Sequence, residues 1–215
     1  MMLVISGSAS GIGKAISEKF LAEGCEVWGF DRSPAAIDHP AYHHVLHDVR
    51  DGAFPALPDP DFLVSCAGTL EEAEAIDVNL AGAMRFTEHF LERPGLRSVL
   101  LIASASARNG AEFPRYVASK AGLVGYMKYL AGAVAPRGIT CNSISPGGVI
   151  TPANRHILEN DRLYQAVKAE TLLGKWAEAS EIADLAWYLL AVNHSVTGED
   201  ILIDNGEMLK SNFIW

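Results

Sequence analysis

The sequence predicts an α/β fold in which one parallel sheet of about seven strands is covered by helices on both faces. The first observation is that short apolar segments alternate with longer amphipathic ones along all 215 residues. The second is that the short segments are almost continuously apolar, which is typical of parallel strands buried on both faces. The third is the length, which suits one domain, since no repeat or linker divides it. We therefore predict a single domain over residues 1–215, with the sheet wound in both directions from its centre.

Each predicted element follows from its local pattern. Seven segments have the composition of buried strands, namely Met2–Ser6, Glu26–Phe30, His44–His47, Phe62–Cys66, Ser98–Ala103, Ile139–Ile144 and Ile201–Ile203. Five longer segments are predicted as helices, namely Gly13–Glu23, Ala73–Leu91, Arg115–Ala135, Asn154–Thr171 and Ser180–Leu190. Strands and helices in this order predict right-handed βαβ units, and therefore a doubly wound sheet.

The connection between the third and fourth strands departs from this alternation. The segment Arg50–Pro60 contains Pro55, Pro58 and Pro60, and three prolines within six residues exclude a regular helix. We therefore predict that the helix between strands 3 and 4 is lost or reduced to a turn, and that one face of the sheet is thinly covered there.

Charge and composition exclude several classes of protein. The formal net charge of −9 provides no basic stripe for nucleic acid. No apolar segment approaches the ~18 residues that a membrane helix needs. Three widely spaced cysteines and the lack of a signal-like N-terminus predict a cytoplasmic protein. Four histidines near the third strand lack a second ligand cluster at zinc-like spacing, so we predict no metal site.

A glycine-rich turn follows the first predicted strand and begins the first helix. Its three glycines are Gly7, Gly11 and Gly13. Glycines allow the backbone to approach a pyrophosphate, and the N–H groups of a helix start can bind it. Asp31 ends the second strand 18 residues after Gly13, close to the ~20-residue offset of an acid that binds the adenosine ribose. The carboxylate would repel the 2′-phosphate of NADP, so NAD is the expected cofactor. NADP is the alternative, because the guanidinium group of Arg32 could bind that phosphate.

Tyr116 and Lys120 have the spacing of an acid/base pair. Residues four apart lie on one face of a helix, so the phenol and the ammonium group would be neighbours. Interconversion of a hydroxyl and a carbonyl needs a proton donor and acceptor, and a nearby cation lowers the pKa of a tyrosine. The pair indicates a catalytic site because it occurs together with the glycine turn, which lies about a hundred residues before it.

Taken together, these motifs resemble those of the classical short-chain dehydrogenase/reductase family over essentially the whole chain. The resemblance implies a Rossmann-type sheet and NAD(P)-dependent interconversion of a secondary alcohol and a ketone. It assigns cofactor contacts to Gly7, Ser10, Gly11, Ile12, Gly13, Asp31, Arg32, Asp48, Val49, Ala67, Gly68, Tyr116, Lys120, Pro146, Gly147, Val149 and Thr151. It also assigns catalysis to Tyr116, Lys120, Asn79 and a serine. Residues 65–68 depart from the family motif, because both of its asparagines are replaced.

The identity of the catalytic serine is open at the sequence level. Family spacing leads to Ala103, so that Ser104 and Ser106 are the neighbouring candidates. Ser104 is preferred because it directly follows the apolar strand, as the motif requires. Ser106 remains the alternative.

The family resemblance also implies a helical substrate flap over about 152–174 and a homodimer or homotetramer. The flap is expected to bind a small molecule through an apolar inner face, with Arg155, Arg162 and Lys168 available for an anion. Met84, Phe86 and Phe90 are considered as a stripe that faces a partner subunit. The C-terminal Phe213–Trp215 could close a neighbour's pocket. Two other functions are alternatives at this point: a non-catalytic dinucleotide-binding or redox-sensing module, and an epimerase or dehydratase.

Overall fold

The main sheet of the computed structural model, which describes residues 1–210, contains seven parallel strands. In chain order they are β1 (Met2–Ser6), β2 (Glu26–Asp31), β3 (Tyr42–Leu46), β4 (Phe62–Ser65), β5 (Ser98–Ile102), β6 (Thr140–Pro146) and β9 (Asp200–Ile203). Their order across the sheet is β3-β2-β1-β4-β5-β6-β9. The chain therefore reverses its winding direction between β1 and β4, as in a Rossmann-type sheet, and the predicted fold class is confirmed.

Helices cover both faces of this sheet. They are α1 (Gly11–Ala22), α2 (Ala83–Leu91), α3 (Ser106–Asn109), α4 (Pro114–Val134), α5 (Arg155–Leu158), α6 (Asp161–Ala169) and α7 (Ala179–Trp187). The helix predicted over residues 154–171 is two short helices, since the chain turns at Asn160, whose side chain caps α6. A second sheet of two short strands, β7 (Val149–Ile150) and β8 (Ala177–Glu178), was not predicted.

The apolar core forms one layer on each face of the sheet. On one face α1 and α7 pack together, and Phe20 lies between Phe62 and Trp187 with ring centroids 5.6 and 5.0 Å away. On the other face α2 and α4 bury Phe86 and Phe90 completely. The idea that these two phenylalanines face a partner subunit is therefore wrong, because their rings are used in the core.

The connection from β3 to β4 contains no helix, as predicted. One aromatic ring takes part of the place that a helix would fill. Phe54 lies 5.7 Å from the ring of Phe86, 6.0 Å from that of Phe90 and 6.1 Å from that of Phe30. The proline-containing segment is thus attached to the sheet by a small aromatic cluster rather than by a helical face.

The helix that precedes β5 begins with an unusual turn. Residues Ile76–Gly82 form a π-helix that continues into α2, and Asn79 lies within it, fully buried. Such wider turns often occur at functional sites. No helix in the described residues 1–210 is long and apolar enough to cross a membrane.

Candidate active site

One large cleft lies along the carboxyl ends of the central strands. Its volume is about 1150 Å³. Every cofactor-binding residue predicted from the sequence lines it, as do Ser104 and Ser106. Of the predicted catalytic residues, Asn79 does not line the cleft, because it is fully buried. The sheet reverses its winding at this edge, which is where ligands of doubly wound sheets bind.

The glycine turn is shaped by close backbone contacts. Gly7 has φ +74° and Gly11 has φ +52°, a region that suits glycine. A Cβ atom on Gly7 would lie 2.7 Å from the amide nitrogen of Ala67, and one on Gly13 would overlap the carbonyl oxygen of Gly7. Ser10 precedes α1 without capping it by its side chain. The N-terminal N–H groups of α1 therefore face the cleft and can bind an anion.

Asp31 lies at the end of β2 and is held by two backbone groups. Its Oδ2 atom accepts a hydrogen bond from the N–H of Ala9 at 2.9 Å, and its Oδ1 atom accepts one from the N–H of Ser33 at 2.8 Å. The neighbouring Arg32 extends towards Glu74, with 3.7 Å between the charged atoms. The carboxylate is thus fixed in orientation, while the guanidinium group is partly neutralised.

Asp48 is engaged by an arginine two residues later. Arg50 donates from its backbone N–H and its Nε atom to Oδ1, and from Nη2 to Oδ2 at 2.6 Å. These hydrogen bonds lower the pKa of Asp48 from 3.8 to about 2. Arg50 also reaches Glu74 at 3.1 Å, so that Glu74 lies between two arginines at this end of the cleft.

The turn after β4 is held by Ser6 and Asn79. Ser6 Oγ accepts hydrogen bonds from the N–H groups of Cys66 and Ala67 at 3.1 and 3.2 Å. Asn79 Oδ1 accepts from the N–H of Thr69 at 2.7 Å, and Nδ2 donates to the Thr69 carbonyl and to Ser119 Oγ. These bonds hold the turn at residues 65–68, where both asparagines of the family motif are replaced. Both amide protons of Asn79 are used inside the protein, so its side chain ties this turn to the π-helix.

Tyr116 and Lys120 lie on one face of α4 and point into the cleft. Lys120 Nζ donates to the carbonyl of Ile102 at 2.9 Å and lies 5.9 Å from the centre of the Tyr116 ring. Burial lowers the pKa of Lys120 from 10.5 to about 8. Burial also raises the pKa of Tyr116 to about 12, opposed by a hydrogen bond with Ser104. The expected lowering of the tyrosine pKa by the lysine is therefore not found: burial dominates, and the opposing contribution comes from Ser104.

The two candidate serines are hydrogen-bonded to one another. Ser104 Oγ and Ser106 Oγ are 2.5 Å apart, and the N–H of Ser106 donates to Ser104 Oγ at 3.2 Å. Ser106 Oγ donates in turn to Oε2 of Glu112 at 3.0 Å. Ser104 is the serine whose hydroxyl lowers the pKa of Tyr116. Glu112 belongs to no motif in the sequence, and its only signal there is its position in the short loop between serine and tyrosine.

The segment after β6 forms the opposite wall of the cleft. The N–H of Ala105 donates to the carbonyl of Pro146, and the N–H of Gly147 donates to that of Ile203. A Cβ atom on Gly148 would overlap the indole of Trp176, which is buried and lines the cleft. Close packing against Trp176 therefore explains why residue 148 is a glycine.

Three carboxylates form an acidic wall on the substrate side of the cleft, comprising Glu112, Glu170 and Glu207. Burial raises the pKa of Glu112 and that of Glu207. The flap cations expected to bind an anion, Arg155, Arg162 and Lys168, do not line the cleft. The apolar inner face is also only partly present. Ile157 and Val167 line the cleft, whereas Leu163, Leu172 and Leu173 are exposed.

The histidines near β3 have local partners. His43 pairs with Glu26 at 2.9 Å and stacks on Trp28, and Nδ1 of His44 is 3.2 Å from the hydroxyl of Tyr42. Within residues 1–210, no group of three or more histidine, cysteine or carboxylate side chains could hold a metal ion.

The donor set of the cleft fits a nicotinamide dinucleotide. Gly7 and Gly13 let the turn pack closely against neighbouring backbone, and the first residues of α1, whose N–H groups can bind an anion, line the cleft. A fixed carboxylate at Asp31 suits ribose hydroxyls, and Lys120 and Tyr116 line the same cleft. The cleft is thus equipped for the two halves of such a molecule.

Comparisons with known proteins agree with this geometry. A family model described as enoyl-(acyl carrier protein) reductase matches residues 59–207. A short chain dehydrogenase from Penicillium roqueforti, adrF, is 28% identical over 247 residues, which cover 95% of this chain and 96% of that protein. The 3-oxoacyl-(acyl-carrier-protein) reductase FabG of Salmonella typhimurium is 26% identical over 94% of this chain and 95% of its own. The alignment with adrF is longer than this chain because the relative contains residues that this chain lacks.

Solved structures show the same likeness. A 4-hydroxyisoleucine dehydrogenase mutant complexed with NADH and succinate superposes with a TM-score of 0.88 at 25% identity, covering 99% of this chain and 100% of that one. The aldohexose dehydrogenase of Thermoplasma acidophilum superposes with a TM-score of 0.89 at 22% identity, covering 100% and 96%. On the site geometry and these matches together, the chain belongs to the short-chain dehydrogenase/reductase family.

Proposed function

We propose that this protein is an NAD(P)-dependent oxidoreductase that interconverts a secondary alcohol and a ketone, with Ser104, Tyr116 and Lys120 at the reacting centre and Asn79 supporting them. The observation that carries the proposal is that Tyr116, Lys120 and Ser104 line the same cleft as the glycine turn. The relatives support both reaction directions, since they include a reductase and a glucose 1-dehydrogenase.

In this mechanism each side chain moves or holds a proton at a stated atom. Tyr116 Oη takes the proton of the alcohol or gives one to the carbonyl oxygen. Ser104 Oγ donates a hydrogen bond to the same oxygen and stabilises the charge that develops there. Lys120 Nζ would hold the ribose hydroxyls and, with its positive charge, favour the phenolate of Tyr116. When bound, the nicotinamide ring accepts or supplies the hydride.

The rest of the cleft would hold and orient the cofactor. The α1 N-terminus would bind the pyrophosphate and Asp31 the adenosine ribose. The backbone of Val149 and the hydroxyl of Thr151 would hold the carboxamide. We propose NAD as the preferred cofactor, because Asp31 is held as a carboxylate acceptor while Arg32 is shared with Glu74. One related structure contains NADH and another NADP, which supports a nicotinamide cofactor in either form.

Tyr116→Phe tests the catalytic assignment. It removes the transferable proton and keeps the ring, so we expect turnover to fall by at least about a hundredfold. Binding of NADH, measured by its fluorescence, should change little. The substrate for this assay comes from a spectrophotometric screen of secondary, cyclic and sugar alcohols with NAD. Substantial turnover by the variant would contradict the proposed role of the tyrosine.

Alanine substitutions at the two serines test which one contacts the substrate. The Ser104 hydroxyl lowers the pKa of Tyr116, so Ser104→Ala should cause the larger loss of kcat/KM. Ser106→Ala removes only a neighbour of Ser104 and should leave more activity. The assignment is refuted if the Ser106 variant is inactive while the Ser104 variant keeps its turnover.

The alternative of a non-catalytic dinucleotide-binding module predicts a different outcome of the same screen. NADH would bind, yet no alcohol or ketone would react. The buried Lys120 and the effect of Ser104 on the pKa of Tyr116 favour the enzyme, because binding alone needs no proton donor. A homodimer or homotetramer is proposed as the assembly, and sedimentation of the purified protein would measure it. The proposed closure of a neighbour's pocket by Phe213–Trp215 lies outside the described residues.

A further inference from the structure

Glu74 is a carboxylate outside the nucleotide-binding motifs that joins two arginines beside the cleft. Its Oε1 atom accepts a hydrogen bond from Nη1 of Arg50 at 3.1 Å, and its Oε2 atom forms an ion pair with Nη1 of Arg32 at 3.7 Å. Arg32 lines the cleft, whereas Glu74 and Arg50 do not. Glu74 therefore acts on a bound molecule through the arginine with which it is paired.

Arg50 holds Glu74 in place because Arg50 is itself fixed. Its Nε and Nη2 atoms donate to the two carboxylate oxygens of Asp48 at 3.0 and 2.6 Å, and its backbone N–H donates to Oδ1 at 2.9 Å. Asp48 stays ionised at neutral pH, since these bonds lower its pKa to about 2. The remaining Nη1 atom of Arg50 donates to Glu74. The hydrogen bonds of this guanidinium group are thus made inside the protein.

The segment that carries Glu74 is anchored at two other points. The N–H and the carbonyl of Thr69 are hydrogen-bonded to the buried Asn79 at 2.7 and 3.0 Å. The carboxylate of Glu72 accepts a hydrogen bond from the N–H of Arg115, at the start of α4, with both oxygens 3.1 Å away. Glu74 therefore projects from an anchored backbone, and its carboxylate remains within reach of both arginines.

Arg32 is the member of this group that could contact a bound dinucleotide. It directly follows Asp31, the carboxylate proposed to bind the adenosine ribose, so both side chains can reach the same sugar. A guanidinium group binds a phosphate through two parallel N–H···O bonds, which requires its Nη atoms to turn towards the ligand. The Arg32 side chain is 58% exposed, and among residues 1–210 Glu74 is its only ion-pair partner. The ion pair with Glu74 thus competes directly with a phosphate for this group.

Glu74 also determines the sign of the charge in this part of the molecule. Three carboxylates, those of Asp31, Asp48 and Glu74, lie with the two guanidinium groups of Arg32 and Arg50, which leaves one net negative charge. A 2′-phosphate would add about −1.5 to −2 charges. With a neutral residue at position 74, the same group has no net charge and keeps both arginines.

We propose that Glu74 is a specificity-determining residue for the cofactor, which favours NAD over NADP by keeping the guanidinium group of Arg32 from a 2′-phosphate. This inference rests on the proposed function, because it requires a nicotinamide dinucleotide in the cleft. NADP can use Arg32 only after the ion pair with Glu74 is broken, whereas NAD needs no such change. Part of the cofactor choice then lies in residues 69–75, far from Asp31 and Arg32 in the sequence.

Glu74→Gln tests the inference in fluorescence titrations with NADPH and NADH, which require no substrate. Glutamine keeps the length of the side chain and removes its charge, so Arg32 is released. We expect NADPH to bind about 3- to 10-fold more tightly than to the wild type. Binding of NADH, which has no 2′-phosphate, should change less than about twofold, which also checks that the cleft remains intact.

Two other variants of the same segment are matched controls. Glu71→Gln removes a negative charge from a residue that lines the cleft and whose side chain makes no ion pair within residues 1–210. Its ratio of NADPH to NADH dissociation constants should stay within about twofold of the wild type. Glu74→Asp keeps a carboxylate, so its ratio should lie closer to the wild type than that of Glu74→Gln. An equal shift in Glu71→Gln and Glu74→Gln would overturn the inference, because overall charge would then explain it.

Arg32→Ala identifies the group through which Glu74 acts. In the Arg32→Ala background, Glu74→Gln should change NADPH affinity less than about twofold, because the guanidinium group that it would release is absent. Equal tightening with and without Arg32 would overturn the inference.

The titrations also separate this inference from the proposed function. If NADH binds and Glu74→Gln leaves NADPH affinity unchanged, the inference is overturned and the proposed function stands. If the dinucleotides bind with the expected ratios but no alcohol or ketone reacts, the proposed function fails and the role of Glu74 stands. Binding of neither dinucleotide would contradict both.

Discussion

Replacing Asp31 with asparagine should weaken the discrimination between NAD and NADP. The carboxylate is held by the N–H groups of Ala9 and Ser33 at 2.9 and 2.8 Å, so it cannot turn away from an incoming 2′-phosphate. Asparagine has nearly the same shape and keeps one acceptor oxygen, whereas its charge is lost. The substitution removes the charge and also one of the two backbone hydrogen bonds, because an amide nitrogen cannot accept.

The magnitude follows from Coulomb's law. Two unit charges 4 Å apart repel by about 1 kcal/mol in water and about 4 kcal/mol near a protein surface. A 2′-phosphate carries about −1.5 to −2 charges at neutral pH. Asp31 is half-buried in an open cleft and Arg32 lies beside it, so the lower part of this range applies. A repulsion of about 2–3 kcal/mol corresponds to roughly a 30- to 150-fold preference for NAD.

The assay is fluorescence titration with NADH and NADPH, which requires no substrate. We expect Asp31→Asn to reduce the ratio of the two dissociation constants by at least about tenfold, mainly through tighter NADPH binding. Arg32→Ala is the matched control and should shift the ratio further towards NADH. A ratio that changes less than about threefold in Asp31→Asn would refute the electrostatic argument.

Three other predictions concern the glycine turn, acid stability and substrate charge. Gly13→Ala should lower the free energy of unfolding by about 1–3 kcal/mol in denaturant titrations, because its Cβ would overlap the Gly7 carbonyl. The same overlap should weaken NADH binding. Gly132→Ala is the control and should not destabilise the protein, since its Cβ would contact nothing. Asp48→Asn should lower the free energy of unfolding by about 1 kcal/mol at neutral pH, since Arg50 lowers the pKa of Asp48 to about 2. This difference between variant and wild type should disappear as the pH falls from about 4 to about 2. A difference that does not change with pH would contradict the ion pair. Among alcohols of equal size, those with a carboxylate should have a higher KM than neutral or amine-bearing ones, because the acidic wall repels them; equal KM values would argue against this.

The sheet and the cofactor end of the cleft were predictable because their signals are local. Continuous apolar runs identify buried strands, and β1 begins and ends at the predicted residues. The glycine turn is a property of one short segment. The same local evidence excluded a helix between β3 and β4, because proline acts on its immediate neighbours.

Other features depend on contacts between distant segments. The π-helix around Asn79 accompanies hydrogen bonds to Thr69, which periodicity does not reveal. Strands β7 and β8 are two residues long, too short for a pattern. The raised pKa of Tyr116 comes from burial, and sequence spacing predicted only the neighbouring cation. Leu172 and Leu173 are exposed because the flap is two short helices and a turn.

The missing helix between β3 and β4 has a consequence for how the protein opens. Residues 52–60 have no regular secondary structure, and their backbone N–H groups donate no hydrogen bond to other described residues. Amide hydrogens there should exchange with solvent at nearly the rate of an open chain, while those of β1 and β4 should exchange only through global unfolding. Phe54 and the buried Leu57 connect this segment to the core layer that contains Phe86 and Phe90. Residues 52–60 can therefore loosen as a separate, low-energy unit without disturbing the central strands.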